Sequence, residues 1–243
     1  MDLKESRTQS ATEGEWYDDV RFALLRALAS DNMSQTVLDY GCGAGGLSRR
    51  WASHTGQAVT GYDPALQADE IAGLRTVGVV AHSSIDELSD QTFGLVLLMD
   101  VLEHVDDPVA LLHDACSHTA AGGKVIITVP AYRWLWSSHD VALGHVDRYT
   151  KPRLTALCAS AGPQFRTVRS GYAFPSLLAG AAPVRLLERL KRRHKEPGDT
   201  SQMAEVSPRL ARALGRLGRA DATVVGAVSP FGLTCVQVLE RIS

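Results

Sequence analysis

The sequence lacks the features that would direct the chain into a membrane or onto a nucleic acid. No run of about 18 consecutive apolar residues occurs anywhere in the 243 residues, which predicts that the chain contains no transmembrane helix. The formal net charge is only −2, so the chain offers no strongly basic balance to meet phosphates. We therefore expect no nucleic-acid partner.

Closely spaced cysteines are also absent. The four cysteines stand far apart, without a Cys-x-x-Cys spacing, at Cys42, Cys116, Cys158 and Cys235. This pattern predicts reduced thiols, and the polar residues 1–15 contain no apolar segment of a signal peptide, so we expect a cytoplasmic protein. A hydrophobic content of 45% predicts one domain over residues 1–243 with a sizeable core.

Glycines gather behind one short apolar run near the N-terminus. The run over residues 36–40 contains Asp39, and Gly41, Gly43 and Gly45 follow it before a helix-compatible segment. The pattern predicts a strand, a tight turn and a helix start. Glycines leave room for a ligand near the backbone, and the first free amides of the helix point into the same space. The stretch therefore predicts a site for an adenosine-like ligand.

The charge of this site separates two classes of nucleotide ligand. The spacing Gly41-x-Gly43-x-x-Gly46 also fits a dinucleotide fingerprint, so an NAD-dependent oxidoreductase is one alternative. The carboxylate of Asp39 would repel a diphosphate but attract an ammonium group, such as that of S-adenosylmethionine (SAM). No Tyr-x-x-x-Lys pair occurs in the chain to support hydride transfer. A non-catalytic SAM-binding protein is a second alternative.

Residues 37–45, Val-Leu-Asp-Tyr-Gly-Cys-Gly-Ala-Gly, resemble motif I of the class I SAM-dependent methyltransferases. The resemblance implies SAM as the cofactor. With the alternation of strands and helices, it implies a Rossmann-like α/β fold: a seven-stranded mixed sheet, its last strand antiparallel, with helices on both faces. A predicted helix over residues 15–29 resembles the N-terminal helix that folds over the cofactor in related enzymes. Residues 173–229 are left as a helical, lid-like insertion before the final strand.

One further cofactor contact is predicted behind the second strand. Asp63 lies 22 residues after Gly41, the distance at which a strand-helix-strand unit returns to the neighbouring strand end. A carboxylate at that place can accept hydrogen bonds from both ribose hydroxyls. Pro64 is predicted to begin the next helix at its first position and to border the same pocket.

The resemblance supplies the remaining cofactor contacts. Methyltransferases of this type hold the adenine with residues just past the third strand, where this chain has Ser84 and Ile85. After the fourth strand, residues 100–105, Asp-Val-Leu-Glu-His-Val, resemble a motif of the branch that contains small-molecule and quinone O-methyltransferases. The start of that motif lines the cofactor pocket, which assigns Asp100, Val101 and His104 to it.

Aromatic and ionisable side chains crowd the loop over residues 131–150, after the fifth predicted strand. A loop of this composition at the strand ends predicts a substrate site. Residues 138–150 resemble a segment of bacterial methyltransferases, many of which act on lipid-linked or secondary-metabolite substrates. His145 and His139 are the candidate catalytic residues, with His145 either a base or a hydrogen-bonded loop anchor. We expect methyl transfer to an oxygen or nitrogen of a small or lipid-like acceptor, in secondary-metabolite or cofactor biosynthesis.

Two features of the sequence allow more than one interpretation, one concerning a metal site and one a membrane contact. In the quinone branch, residues corresponding to Asp100, Glu103 and His104 are associated with a divalent ion, but the spacing equally suits acids at a helix N-terminus, and we predict no metal. Basic residues over 185–195 follow apolar ones, which suits either a peripheral membrane contact or a helix packed on the core. Residues 196–207 are predicted to be a mobile linker. Nothing in the sequence fixes the oligomeric state.

Overall fold

The computed structural model of the protein describes residues 11–30, 33, 35–192, 208–224 and 228–242. Side chains are described at 16–30, 33, 35–183, 209–210, 212–223 and 228–242. The predicted linker over 196–207 and the side chains of the basic segment 185–195 lie outside this part of the chain. The predictions made for them therefore remain predictions.

Strands and helices alternate along the chain as the predicted α/β fold requires. The strands are β1 (Val37–Tyr40), β2 (Val59–Tyr62), β3 (Val79–His82), β4 (Phe93–Met99), β5 (Thr119–Pro130), β6 (Phe165–Ala173) and β7 (Thr234–Arg241). The helices are α1 (Ala11–Leu28), α2 (Gly46–Thr55), α3 (Ala68–Arg75), α4 (Pro108–Ser117), α5 (Ser138–Leu143), α6 (Lys151–Cys158), α7 (Pro175–Arg192) and α8 (Pro208–Val224). Short 3₁₀ turns occur at Ile85–Leu88, Leu102–His104, Arg133–Leu135 and Ala159–Ala161.

The seven strands form one mixed sheet in the order β3-β2-β1-β4-β5-β7-β6. β1 pairs in parallel with β2 and β4, and β7 runs antiparallel to both of its neighbours, β5 and β6. All seven residues of β4 are buried, which agrees with its nearly continuous apolar sequence and with a central position in a parallel sheet. The predicted sheet is confirmed, and the carboxyl ends of its parallel strands meet at one edge.

Helices cover both faces of the sheet because successive strand residues point to opposite sides. Leu38, Val96 and Leu98 pack on one face with α4 and α6. On the other face, Leu95 and Leu97 pack with α1 and α2. This second cluster also contains buried residues from the ends of the insertion, namely Ala173, Phe174, Leu177 and Ala222.

The pairing of β4 with β5 is irregular at its start. β5 begins at Thr119 and includes two consecutive glycines, at residues 122 and 123. Phe93 pairs with Thr119 and Leu95 with Lys124, so the extra residues of β5 bulge outward around a glycine at φ +73°. Gly94, between the two paired positions of β4, donates its amide to Oγ1 of Thr36 at 3.2 Å.

The insertion packs onto the N-terminal helix. Helix α8 lies against α1, and a Cβ added at Gly218 would approach the Val20 methyl carbons to 2.7 Å. At the start of α7, the amide and hydroxyl of Ser176 donate to the Asp221 carboxylate of α8 at 2.9 and 2.7 Å. Both ends of the insertion therefore belong to the packed body of the protein.

All four cysteines are buried thiols, which agrees with the prediction of reduced cysteines. Burial raises the pKa of the thiols of Cys116, Cys158 and Cys235 to about 12. Among the helices that the structure describes, none combines the length and apolar character needed to cross a bilayer.

Candidate active site

The glycine turn lies at the carboxyl end of β1, and its shape depends on close packing. Gly41 has φ +80°, and an added Cβ there would lie 2.7 Å from the Val101 side chain. Gly45, at φ +70°, ends the turn beneath the side chain of Leu74. The amides of Gly41 and Cys42 donate to the Tyr62 carbonyl at 2.7 and 3.0 Å. Residues with larger side chains would close this turn, so glycine is required by both conformation and space.

Asp39 is the acid of this turn and is almost completely buried, at 3% exposure. The Ser48 hydroxyl, in the first turn of α2, donates to its Oδ2 atom. The carboxylate is thereby held at the helix N-terminus, where the backbone partial charge favours an anion. Bare backbone beside a buried anion suits a cofactor whose amino-acid portion carries a cation, so these residues fit SAM.

Asp63, at the end of β2, anchors the glycine turn. Its carboxylate accepts the Gly43 amide at 3.0 Å through one oxygen and the Ala65 amide at 2.9 Å through the other. Pro64 does not begin a helix, which corrects the prediction: it stands in a turn, and α3 starts at Ala68 with Gln67 as its N-cap. The Asp63 carboxylate shapes Pro64 and Ala65 into that turn and delays the helix.

The two predicted adenine residues begin the 3₁₀ turn after β3. The Ser84 hydroxyl accepts the Asp86 amide at 3.3 Å and so caps the turn. Ile85 is partly buried and packs against the hydrophobic core together with Tyr62. Ile85 thus presents an apolar surface beside the end of β2, on the same sheet edge as the glycine turn.

Asp100 is tied to the N-terminal helix, a contact that the sequence did not reveal. Its Oδ2 atom lies 3.1 Å from Nε of Arg21, and its Oδ1 atom accepts the Thr128 hydroxyl at 3.1 Å. Arg21 is 4% exposed and also donates from Nη2 to the Met99 carbonyl at 2.7 Å. Asp100 itself has φ +60°, a conformation that non-glycine residues seldom adopt. The pair fixes α1 against the end of β4.

The loop over residues 131–150 contains the helix α5 and is organised by one buried carboxylate. Asp140 is completely buried, and its Oδ1 atom lies 2.9 Å from Nδ1 of His145 and 2.6 Å from Nε of Arg148. Its Oδ2 atom accepts the Ser137 amide at 2.8 Å and the Ser137 hydroxyl at 3.1 Å. Arg148 also donates to the Ala131 carbonyl at 2.9 Å. Asp140 therefore joins both ends of the loop.

This environment keeps Asp140 ionised. Burial alone would raise the pKa of its carboxyl, but the hydrogen bonds from His145 and Arg148, the charge of Arg148 and the Ser137 amide together hold that pKa well below its usual range. The carboxylate is therefore an acceptor of hydrogen bonds and has no proton to donate.

The predicted catalytic histidine meets the motif that follows β4. The His104 and His145 rings stand perpendicular with centroids 4.6 Å apart. Glu103 is 1% exposed, and its carbonyl accepts the amides of Val146 and Asp147 at 2.6 and 3.3 Å. These backbone bonds hold the loop onto the Leu102–His104 turn.

One ligand atom each from Glu103, His104 and His145 lies within 4.8 Å of the others, close enough to surround a metal ion. Asp100, the other acid of the quinone-branch pattern, is instead engaged by Arg21 and Thr128. His139, the second predicted catalytic residue, lies in the first turn of α5, where its amide donates to the Ser137 hydroxyl at 3.3 Å.

The sequence did not identify Arg148 or Asp140 as site residues, and it did not identify Asp100 as the partner of Arg21. A signal for Asp140 was present, because Ser137 and Asp140 have the spacing of a capping box, which predicts a helix start inside the loop. The Arg21 contact spans 79 positions in sequence, from 21 to 100, and no local pattern predicts such a pair.

Aromatic rings extend the site toward β6. The Tyr132 ring stacks on Tyr172 with centroids 5.1 Å apart and on Trp134 with centroids 5.8 Å apart. Trp134 is 42% exposed, so the stack ends in an accessible indole. Burial and a hydrogen bond to Tyr172 raise the pKa of the Tyr132 hydroxyl to about 12, which keeps that phenol neutral.

Comparison with known proteins identifies the family. A methyltransferase domain matches residues 14–167. Over 148 residues the chain is 29% identical to the ubiquinone biosynthesis O-methyltransferase of Idiomarina loihiensis, which covers 53% of this chain and 60% of that protein. The chain spans between 40% and 60% of the length of this and two further curated relatives of the same description.

Solved structures share the fold at low sequence identity. The plantazolicin methyltransferase BamL is 13% identical with a TM-score of 0.59, and the match covers 99% of this chain and 88% of that one. Coclaurine N-methyltransferase is 14% identical with a TM-score of 0.55, covering 90% and 71%. Because the methyltransferase domain covers well over half of the chain and contains the glycine turn and strands β1 to β5, this protein belongs to the methyltransferase domain family, within the class I SAM-dependent group.

Proposed function

We propose that this protein transfers the methyl group of SAM to an oxygen or nitrogen of a small-molecule acceptor. Two features carry the proposal: the glycine turn after β1 with its buried Asp39, and His145, hydrogen-bonded to Asp140 in the loop after β5. The first suits SAM, and the second suits an acceptor that must lose a proton. The similar proteins include ubiquinone biosynthesis O-methyltransferases and coclaurine N-methyltransferase, which supports an oxygen or a nitrogen as the acceptor atom.

The cofactor side of the site would bind SAM mainly through backbone groups and carboxylate side chains. Asp39 would face the ammonium group of SAM, and Asp63 would accept from the ribose hydroxyls with its remaining lone pairs. The adenine would rest near Ser84 and Ile85. The remaining assigned residues would line the pocket, namely Gly41, Gly43, Gly45, Pro64, Asp100, Val101 and His104.

The acceptor side requires one proton transfer. Bound SAM would supply a methyl group on a positively charged sulfur. The sulfur would keep the electron pair of the broken C–S bond, and the product would be S-adenosylhomocysteine. The acceptor oxygen or nitrogen gives its electron pair to that carbon, and its proton passes to Nε2 of His145. Because the sulfonium is already activated, holding the acceptor in line with the methyl group supplies most of the rate.

The insertion over residues 173–229 would act as a cover for the acceptor. The described ends of this insertion pack on α1 and the core. Replacing residues 184–207 by a short Gly/Ser linker should leave SAM affinity within a few-fold and reduce methyl transfer at least tenfold. Loss of SAM binding in this variant would show that the segment is structural.

A titration followed by an activity screen tests the function. Calorimetry with SAM and with NAD separates a methyltransferase from an oxidoreductase, and binding of NAD alone would contradict the proposal. A screen of phenols, catechols and amines with labelled SAM then tests transfer. SAM binding without transfer to any acceptor would favour a non-catalytic SAM-binding protein.

A matched histidine pair tests the base. His145→Gln should lower kcat about 10²- to 10⁴-fold while SAM affinity stays within about twofold. His139→Gln, in the same loop, tests the second predicted catalytic residue, and we expect its effect on kcat to be smaller. Unchanged turnover in His145→Gln would show that His145 is not the base.

A further inference from the structure

The contacts of Asp140 determine the chemistry of one nitrogen on its neighbour His145. A neutral imidazole carries its proton on either Nδ1 or Nε2, and the partner of one nitrogen decides between them. The Asp140 carboxylate is ionised and only accepts hydrogen bonds, while Nδ1 of His145 lies 2.9 Å from its Oδ1 atom. Nδ1 must therefore carry the proton, and Nε2 of the neutral ring must carry the lone pair.

The same carboxylate holds the ring in place through rigid surroundings. Arg148, 8% exposed, binds Oδ1 of Asp140 and the Ala131 carbonyl at the end of β5. Ser137 binds Oδ2 through both its amide and its hydroxyl. In addition, the His145 amide donates to the Asp140 carbonyl at 2.9 Å. Because both carboxylate oxygens have partners and the residue is completely buried, Asp140 has little freedom to move.

We infer that Asp140 is the positioning residue of the acceptor site: its carboxylate fixes His145 as the tautomer with a protonated Nδ1, which leaves Nε2 to take the acceptor's proton. Arg148 supports this role because it neutralises the buried charge and connects Asp140 to the strand end. The inference rests on the proposed role of His145 as the base.

Nitrogen NMR of the full-length protein tests the tautomer without any activity measurement. Long-range ¹H–¹⁵N spectra of uniformly labelled protein distinguish Nδ1–H from Nε2–H in a neutral imidazole. The His145→Gln variant assigns the signal among the eight histidines. The inference expects Nδ1–H, and an Nε2–H tautomer in the wild-type protein would overturn it, even if no Asp140 variant folds.

Asp140→Asn is the matched kinetic test, because its amide has the same shape but can donate a hydrogen bond to Nδ1. We expect conversion of His145 to the Nε2–H tautomer and a fall in kcat of at least about 100-fold, with the KM for SAM within about twofold. Asp147→Asn is the control, since Asp147 belongs to the same loop but pairs with Arg133 and Arg153 at the surface. It should leave kcat within about threefold.

The outcomes separate this inference from the proposed function. If His145→Gln abolishes turnover while Asp140→Asn keeps both turnover and the Nδ1–H signal, the positioning role is wrong and the base survives. If His145→Gln leaves turnover unchanged, the base is wrong, and the kinetic role of Asp140 falls with it. Equal losses of kcat in Asp140→Asn and Asp147→Asn, with an unchanged tautomer, would reduce Asp140 to a structural residue.

Discussion

The glycine turn and the loop over residues 131–150 share one edge of the sheet but are held in shape by different chemical groups. The turn is shaped by backbone amides, which donate to the Tyr62 carbonyl and to Asp63, and by glycines that leave space. The loop is shaped by side chains, chiefly Asp140 with Ser137, His145 and Arg148. Backbone groups suit a cofactor that is the same throughout a family, whereas a side-chain network can be altered to fit different acceptors.

Removing the acid of the turn should have the largest effect on binding. In Asp39→Ala, the ammonium group of SAM would lose its charged partner, and we expect SAM affinity to fall about 100-fold or more, close to 3 kcal/mol. Calorimetry measures the affinity, and circular dichroism checks the fold. Asp39→Asn retains an acceptor for Ser48 and isolates the charge, and the exposed Asp69→Ala is the control. Unchanged affinity in both Asp39 variants would contradict the cofactor assignment.

Breaking the contact between α1 and β4 should affect stability next. Arg21→Met leaves the Asp100 carboxylate without its ion-pair partner and the Met99 carbonyl without a donor. Removing one member of a buried pair costs about 3 kcal/mol, so we expect a loss of that order in the free energy of unfolding. Urea denaturation measures it, with Arg26→Met at an exposed position of the same helix as the control. Equal stability of the two variants would mean that the pair contributes nothing.

Low pH should reduce the contribution of Asp140 to the stability of the protein. The pKa of this carboxyl is lower in the folded than in the unfolded chain, so its stabilisation is complete above the unfolded value near 3.8 and is lost as pH falls toward the folded value. The stability difference between wild type and Asp140→Asn should therefore shrink as pH falls below about 4. Urea unfolding between pH 3 and 6 measures the trend, and a difference that is constant across this range would contradict it.

Chelation should have the smallest effect. The group formed by Glu103, His104 and His145 could hold an ion, but its histidine His145 already has a role as base in the proposed reaction. We expect EDTA to leave both SAM binding and turnover unchanged. If EDTA abolished turnover, and magnesium or zinc restored it in the wild type but not in Glu103→Ala, this group would be a metal site.

Most of the residues proposed for the cofactor side have local signals in the sequence. Glycines, Asp39 and Asp63 lie within two neighbouring strand-turn-helix units, where chain geometry alone brings strand ends together. Pro64 was the exception, because a side chain–backbone bond from Asp63 prevailed over the usual preference of proline for a helix start. On the acceptor side, the sequence predicted the loop over residues 131–150 and His145, but it did not predict that Asp140 is the partner of His145.

The sequence by itself determined which segments form strands and where the glycine turn lies, since hydrophobic periodicity and glycine spacing act through nearest neighbours along the chain. Only the tertiary structure decided that Arg21 pairs with Asp100, that His104 stands against His145, and that α8 packs on α1. These contacts join segments dozens of residues apart. Burial, rather than local preference, selects their partners, because an ionised or polar side chain removed from water must find whichever complementary group the fold brings to it.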